Sequence, residues 1–402
     1  MAETQTPTRI PDDDSDARNW RDELSAVDDF DPIEYPEEPE PEKAKTTRSQ
    51  WQLMRMKFFR NKLAVVGLVV IILMYLAILF AEFLSPYDFS QRNVPYKFAP
   101  PAKVYFTDEN GLSRPYIYSR TQELDLEEGR IIWTEDTSRK YYVRFFVRTY
   151  EYKLLGIFTT DLHLFGVDEG GYLTLLGADL LGRDLFSRML QGGRVSLTAG
   201  FLGVLISLII GAVMGALSGY LSGTTDLVIQ RIIEFMNSFP RVPIWLAISA
   251  ALPPSWSSVQ IYIGVVTVLG LVGWGGLARA VRAKILAYRK NDYVLAAEAS
   301  GANAPWIMFQ HLLPNVTSHL IVSATLAVPG MILGESTLSF LGVGIQPPMT
   351  SWGVLLQDAQ NIQSVALRPW LLLPGLAIFI AVLAFNFLGD GLRDAADPYS
   401  NI

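Results

Sequence analysis

Long uninterrupted apolar runs, not alternating ones, set the character of this chain from residue 63 onward. Residues 63–84 read LAVVGLVVIILMYLAILFAEFL, with Glu82 near the far end as the single charge. At about 1.5 Å rise per residue, a helix of this length crosses roughly 30 Å of hydrocarbon. Further runs predict membrane helices at 195–220, 232–252, 261–280, 318–340 and 370–388. The 232–252 run is the least regular, because Glu234, Pro240, Arg241 and Pro243 interrupt it. Between the first two runs the pattern changes to mixed charge with aromatic and β-branched clusters, IIWTE at 131–135 and YYVRFFVRTYEY at 141–152, and a turn signal at Asn110-Gly111. This predicts a small β-containing domain outside the membrane.

Charge orients these elements. Lys43, Lys45, Arg48, Arg55, Lys57, Arg60 and Lys62 precede the first run, which places the N-terminus in the cytoplasm by the positive-inside rule. With six spans the cluster Arg279, Arg282, Lys284, Arg289 and Lys290 also falls inside; with five it falls outside. Short basic loops stay cytoplasmic, so six spans with both termini inside is the expected topology. The basic residues of the long segment after the first span do not oppose this, since long loops translocate largely regardless of charge.

Composition agrees and adds one feature. Half of the 402 residues are hydrophobic and 18% are charged, with a mean hydropathy of +0.24, which belongs to the membrane class. The net charge of −7 is local: residues 1–42 hold 15 Asp/Glu against 3 Lys/Arg, leaving +5 for the remainder. This acidic, Pro-rich tail is expected to be disordered and cytoplasmic, because it has too little apolar surface to offset its ordering entropy. Cysteine is absent, which excludes disulfides and thiolate chemistry. No short basic region followed by an apolar stretch marks a cleavable signal, so insertion is expected to rely on the first membrane helix.

Residues 291–314, NDYVLAAEASGANAPWIMFQHLLP, carry the most specific local pattern. Asn291 or Asp292 suits a helix N-cap, 293–300 favours helix, and Gly301 suits the left-handed residue that ends one. Asn303 then caps a second helix with Pro305 in its first turn. Ala296, Ala297, Ala299 and Ser300 form a small-residue surface, and Trp306, Ile307, Met308 and Phe309 are expected to anchor the second helix.

This loop resembles the EAA coupling loop of bacterial ABC importer permeases. Ala296, Ala297, Gly301, Leu313 and Pro314 fall in register with that pattern, Leu295 stands where its leading Glu is usual, and Glu298 follows three positions later. His311 occupies a position where the peptide-type subfamily commonly has His. Three more blocks resemble the C-type permeases of peptide and nickel importers: LLGADLLGRDLFSRMLQGGRVSL at 175–197, ESTLSFLGVGIQPPMTSWG at 335–353 and FNFLGDGLRDAADP at 385–398. The resemblance covers residue 50 to the C-terminus apart from most of 86–170.

It implies an all-α polytopic membrane protein, six transmembrane helices of the type I ABC importer permease fold with a small β-containing extracytoplasmic insertion between helices 1 and 2. The implied map is a tail at 1–50, the first helix with its membrane-proximal segment at 51–85, the insertion at 86–190, a permease core at 191–392 with its coupling loop at 282–314, and a cytoplasmic tail at 393–402. It also implies partners: a second permease, two ATPases that each grip a coupling loop, an extracytoplasmic substrate-binding protein and the lipid bilayer of the cell membrane, with no nucleic acid and no cofactor. Tyr293, Ala296, Ala297, Glu298, Gly301, Trp306, His311 and Pro314 are the coupling residues so implied.

Other signals are weaker. Gly177-Ala-Asp-Leu-Leu-Gly182-Arg183-Asp184 has phosphate-loop glycine spacing without the Lys and Ser/Thr that hold phosphate and Mg²⁺. His163, His311 and His319 are too far apart to suggest a metal or catalytic cluster. Arg241, near the middle of the third expected span, calls for a water-filled path or a carboxylate, and a shifted helix with a structural Arg241 is the alternative. Glu335 carries the same pair of readings, structural or gating. Gly264, Gly270, Gly273, Gly275 and Gly276 are expected to permit close helix packing. A membrane-embedded enzyme would need ionisable residues clustered at one depth, and a membrane-anchored binding protein would leave the 291–314 pattern unexplained. Peptides are the expected substrate of the implied importer, with nickel complexes or oligosaccharides as alternatives.

Overall fold

The computed structural model describes residues 50–108, 111–125 and 130–396; the acidic tail at 1–49, Asn110 of the expected turn and residues 397–402 lie outside the described residues. A short helix α1 (Gln50–Arg60) leads into α2 (Lys62–Leu79) and α3 (Ala81–Leu84). Four strands follow, and then α4 (Leu185–Leu221), α5 (Gly223–Asn237), α6 (Arg241–Ala250), α7 (Ser258–Tyr288), α8 (Asp292–Ala299), α9 (Ala304–Trp306), α10 (Leu313–Phe340), α11 (Trp352–Leu355), α12 (Ile362–Leu367) and α13 (Leu373–Ala396). Among the described residues five helical segments are long and apolar enough to cross a membrane: Lys62–Leu79, Leu185–Leu221, Ser258–Tyr288, Ala304–Phe340 and Pro369–Ala396.

The run expected as one helix at 232–252 is instead two, α5 and α6, separated at Ser238, Phe239 and Pro240. Pro240 offers no N–H and disfavours helical geometry at Phe239, so the helix stops there and restarts at Arg241. Arg241 therefore opens α6 and is exposed, with no mid-helix position to defend.

α4 and α7 form the tightest helix pair, and glycine explains why. A Cβ at Gly211 would lie 2.7 Å from Leu277 Cβ, at Gly215 2.5 Å from the Ala278 carbonyl oxygen, and at Gly219 2.8 Å from Ile285 Cβ. From the other side, Gly270 meets Ile206 and Gly273 meets Met331 and Ser207 at comparable distances. Small residues let backbones approach where lipid supplies no hydrophobic drive between helices. Ser207 Oγ donates to the Gly270 carbonyl oxygen at 2.8 Å across this contact. Gly276, grouped with these by sequence, meets nothing within 4 Å.

The strands β1 (Tyr105–Asp108), β2 (Gly111–Asp125), β3 (Arg130–Leu154) and β4 (Phe158–Val167) form one antiparallel meander in chain order. The two aromatic clusters at 131–135 and 141–152 belong to a single strand, β3, whose first half pairs with β2 (Tyr116↔Tyr142, Leu124↔Ile131) and second half with β4 (Val143↔Val167, Leu154↔Phe158). Tyr105, Tyr116, Tyr118 and Tyr142 pack ring against ring on it.

Ion pairs and hydroxyl contacts join the helices near the strand-bearing end. Glu82 receives Arg194 Nη1 at 2.6 Å and Nη2 at 2.8 Å, tying the end of the first helix to α4. Asp179 accepts the Leu181 and Arg183 backbone N–H groups at 2.8 and 3.0 Å and pairs with Arg183 and buried Arg188. The phosphate-loop look-alike is thus filled by its own carboxylate. Asp184 caps α4 by accepting Ser187 N–H at 2.8 Å. Burial pushes the Asp184 carboxyl up to about 6 despite the Ser187 donors; the folded chain keeps a proton there that the unfolded chain loses near its ordinary value, so this group's contribution to stability falls as pH rises across that window.

The glycine contacts predict a contrast in thermal unfolding of the detergent-solubilised chain. Gly215→Ala should lower stability by about 1–3 kcal/mol through overpacking, whereas Gly276→Ala should stay within about 0.5 kcal/mol of the parent or exceed it. Equal midpoints for the two variants would contradict this account of the α4–α7 contact.

Candidate functional site: the 291–314 loop and its clamp

The loop between α7 and α10 is built as its residues dictate. Asn291 takes the extended conformation of an N-cap, and α8 runs to Ala299. At its end Gly301, with φ of +82°, donates its N–H to the Glu298 carbonyl at 3.0 Å, and Ala302 donates to that of Ala297 at 3.1 Å. This pair of bonds is a Schellman ending, which needs a left-handed residue that glycine supplies without Cβ strain. Asn303 Oδ1 then accepts the Trp306 N–H at 2.9 Å, with proline in the first turn of α9. Between α9 and α10, residues Ile307–Leu312 widen into a π-helical turn in which Leu313 N–H bonds the Met308 carbonyl. Pro314 explains the widening: it has no N–H to give, and its ring would press on the carbonyl four residues earlier.

One face of this unit is a core and the other is open. Val294, Ile307, Met308 and Leu312 are buried with Ala216 of α4 and Val281 and Ile285 of α7. Tyr293, Leu295, Trp306 and Phe309 lie on the outside, 40%, 50%, 48% and 54% exposed. Trp306 and Phe309 therefore do not anchor the second helix as expected; only Ile307 and Met308 do, because a helix three residues long with its π turn can turn just one stripe inward. Ala296 is exposed, Ala297 is half-buried against the core, and Glu298 Oε1 accepts the Tyr220 hydroxyl at 2.8 Å. The His311 ring stands edge-on to Trp306 at 4.6 Å and 6.3 Å from the Tyr293 ring, and its Nε2 is buried without a hydrogen-bond partner among the described residues. Asn315 Nδ2 donates to the His311 carbonyl at 2.6 Å.

A clamp beneath the loop was not legible in the sequence. Arg282 grips Asp226 of α5 with two bonds, Nε at 2.6 Å and Nη2 at 2.5 Å. Arg289 Nη1 donates to the carbonyls of Gly219 and Tyr220 at 3.3 and 3.2 Å and to Ser222 Oγ, closing the C-terminal end of α4. Cations at a helix C-terminus satisfy its unpaired carbonyls and oppose its dipole. These arginines read only as orientation markers, since nothing in their spacing names Asp226 or the end of α4 as partner.

The two pathway candidates part company. Arg241 has no ion-pair partner among the described residues and points from an exposed helix start. Glu335 of α10 is fully buried and accepts the hydroxyls of Ser196 and Ser339, each at 2.7 Å, and of Ser336 at 3.4 Å. Ser196 Oγ also accepts the Trp352 N–H at 3.1 Å, so this carboxyl knits α4, α10 and α11 together. Among the described residues no hydrogen bond or ion pair joins Arg241 to Glu335.

A many-helix membrane protein with a glycine-jointed loop between two of its long helices is the class these observations define. A family described as the binding-protein-dependent transport system inner membrane component matches residues 200–399, and one described as the N-terminal TM domain of oligopeptide transport permease C matches residues 49–101. The dipeptide transport system permease protein DppC of Alkalihalophilus pseudofirmus is 32% identical over 365 residues, 90% of this chain and 94% of its own length. The oligopeptide transport system permease protein OppC of Escherichia coli is 34% identical over 352 residues, 87% of this chain and 92% of its own. The glutathione transport system permease protein GsiD of Pectobacterium atrosepticum is 40% identical over 223 residues, 56% of this chain and 72% of its own. The chain belongs to the inner-membrane permeases of binding-protein-dependent ABC importers, among the C-type subunits of the oligopeptide and dipeptide transporter group. It is a multi-pass transport subunit rather than an enzyme.

Removing the cap of the second helix tests the local architecture. Asn303→Ala should destabilise α9 and the π turn by about 1 kcal/mol, read as roughly five-fold faster amide hydrogen exchange over 304–312 with exchange in α7 unchanged. Uniform exchange across both segments would refute the capping role.

Proposed function

We propose that this chain forms half of the translocation path of a peptide importer and transmits ATP-driven motion to it through residues 291–314. The observation that carries this reading is the two-sided loop: four large apolar side chains face outward from a unit whose inner face is packed on α4, α7 and the start of α10. Exposed aromatic clusters on a rigid support are the usual anchors of a protein–protein contact. The occupant is the groove of an ATPase subunit, with Tyr293, Trp306 and Phe309 as anchors, Ala296 and Ala297 allowing close approach, and Gly301, His311 and Pro314 setting the angle between the loop's helices. Glu298, held by Tyr220, links the loop to α4.

The topology that fits is six crossings with both termini cytoplasmic, the α5–α6 pair serving as the third. Counted that way, the Arg279–Lys290 cluster, the loop and the basic approach to α2 share the inner face, and the sheet lies outside. The acidic tail at 1–50 and the end at 393–402 are then cytoplasmic, and 86–190 is an extracytoplasmic insertion ahead of the core at 191–392. A second permease completes the path, and a binding protein delivers cargo on the outer side. Peptides are the cargo, a reading supported by the named relatives. Arg241, exposed at the break between α5 and α6 and without an ion-pair partner among the described residues, faces the path and meets the anionic end of the substrate; Glu335 acts as a structural tie between α4 and α10.

Two measurements test these assignments. Trp306→Ala with Phe309→Ala should leave membrane insertion intact while weakening ATPase association by on the order of ten-fold or more, scored by co-purification and by uptake; undiminished co-purification would sink the docking role. Arg241→Gln should lower uptake several-fold with assembly unchanged, and normal uptake by the assembled variant would remove Arg241 from the path.

A further inference from the structure

The β3–β4 hairpin, the last of the sheet, ends in an apolar tip whose sequence differs from those joining the earlier strands. Seven consecutive residues at 154–160, LLGIFTT, carry no charge, and Lys153 and Asp161 bound them. The chain at 108–111 contains Asp108 and Glu109, and at 125–130 it contains Asp125, Glu127, Glu128 and Arg130. At the tip Leu155 and Gly156 both adopt left-handed backbone, φ +53° and +74°, and Ile157 N–H donates to the Leu154 carbonyl at 3.1 Å. Such a pair normally selects Asn-Gly, because only the second residue's lack of Cβ and the first's compact polar side chain tolerate it. Leucine is strained there. Its side chain nevertheless stays open, 47% exposed, beside Ile157 at 74% and Phe158 at 65%.

The hairpin is fixed against the first membrane helix. The ring nitrogens of buried His163 on β4 lie 2.9 Å from the Glu82 carbonyl oxygen and 3.0 Å from that of Tyr150. Leu154 lines one wall of an apolar groove of about 550 Å³ whose other wall is Leu73, Leu76, Phe80, Phe83 and Leu84. Leu73 to Leu84 covers about 16 Å of helix, the final stretch of the first span. This side of the helix is exposed along its length, at Val66, Val69, Leu73 and Leu76 among others, and in a chain that crosses a bilayer it borders lipid. The tip therefore sits beside the apolar surface of the first span.

We propose that the β3–β4 tip is a membrane anchor: Leu155, Ile157 and Phe158 insert into the adjoining lipid leaflet, and a phospholipid acyl chain occupies the groove between Leu154 and the first span. Lipid contact gives a reason for three large apolar side chains at a reversal, and for leucine where the backbone prefers asparagine. Lys153 at the base of the tip has the reach to place its ammonium among lipid phosphates while its stem stays apolar. Insertion pins the β3–β4 hairpin at both the His163–Glu82 contact and its tip, holding the rest of the sheet at a set height over the membrane. The inference rests on the importer reading only for which leaflet is meant, since depth is measured without regard to side.

The cysteine-free sequence permits a direct test. The full chain, purified in phosphatidylcholine–phosphatidylglycerol nanodiscs with the subunits that accompany it, is labelled with an environment-sensitive nitrobenzoxadiazole probe at Ile157→Cys, at Leu155→Cys, and at Leu112→Cys beside the first reversal, where Leu112 is 93% exposed. Spin-labelled lipid with a shallow nitroxide should quench the probes at 155 and 157 several-fold more strongly than the probe at 112, and aqueous iodide should show the opposite order. Iodide access at either tip position equal to that at 112 overturns the proposal. Protection from both quenchers overturns it equally, by placing a protein surface on the tip.

Discussion

The close approach of α4 and α7 is the constraint from which the rest of this molecule follows. Helices in lipid gain little from burying apolar surface against one another, so their contact must come from backbone proximity and from polar groups that find each other. Gly211, Gly215 and Gly219 on one side and Gly270 and Gly273 on the other remove the side chains that would hold the axes apart. Ser207 then bonds directly to a backbone carbonyl of the opposing helix. At the end of the same pair that carries the 291–314 loop, Arg282 and Arg289 reach back to Asp226 and to the end of α4. A movement imposed on α7 is thereby shared by α4 and α5 rather than absorbed between them.

The 291–314 loop depends on that pair for its rigidity. Its core residues Val294, Ile307, Met308 and Leu312 pack with Ala216 of α4, Val281 and Ile285 of α7 and Val316 of α10. With that platform in place, a Schellman ending at Gly301, an Asn303 cap and a π turn relieving Pro314 hold a short chain in one conformation. Each device satisfies backbone groups that a loop this small could not otherwise pair. Near the strand-bearing end an analogous logic operates with carboxylates: Asp179 holds a loop and Arg188, Glu82 holds Arg194, and Glu335 gathers serine hydroxyls from two helices. Each acid is expensive to bury alone and is surrounded by donors that remove the expense.

Much of this architecture was legible in the chain's order. The long spans, the strand-rich segment, the glycine joint and the Asn303 cap follow from local rules in which a residue interacts with neighbours a few positions away. The errors have the same origin. Residues 232–252 read as one irregular helix, whereas the missing N–H of Pro240 divides them into two. Trp306 and Phe309 looked like anchors because nothing local to them distinguishes the stripe that meets α4 and α7 from the one that does not. The aromatic clusters of β3 looked like separate elements because their joint pairing, with β2 and then with β4, is a long-range matter.

By itself, then, the sequence determined the membrane class, the positions of the long helices and the local geometry of residues 291–314, since hydrophobic length, capping and left-handed glycine act within a turn or two of chain. Only the tertiary structure decided that Arg282 serves Asp226, that Arg289 closes α4, that Glu335 is enclosed by serines and that the tip of the β3–β4 hairpin lies against the first span. Those outcomes turn on which groups meet across separations of about 55 to 140 positions, or on how a hairpin rests on a distant helix, and the spacing of residues along a chain holds no record of such meetings.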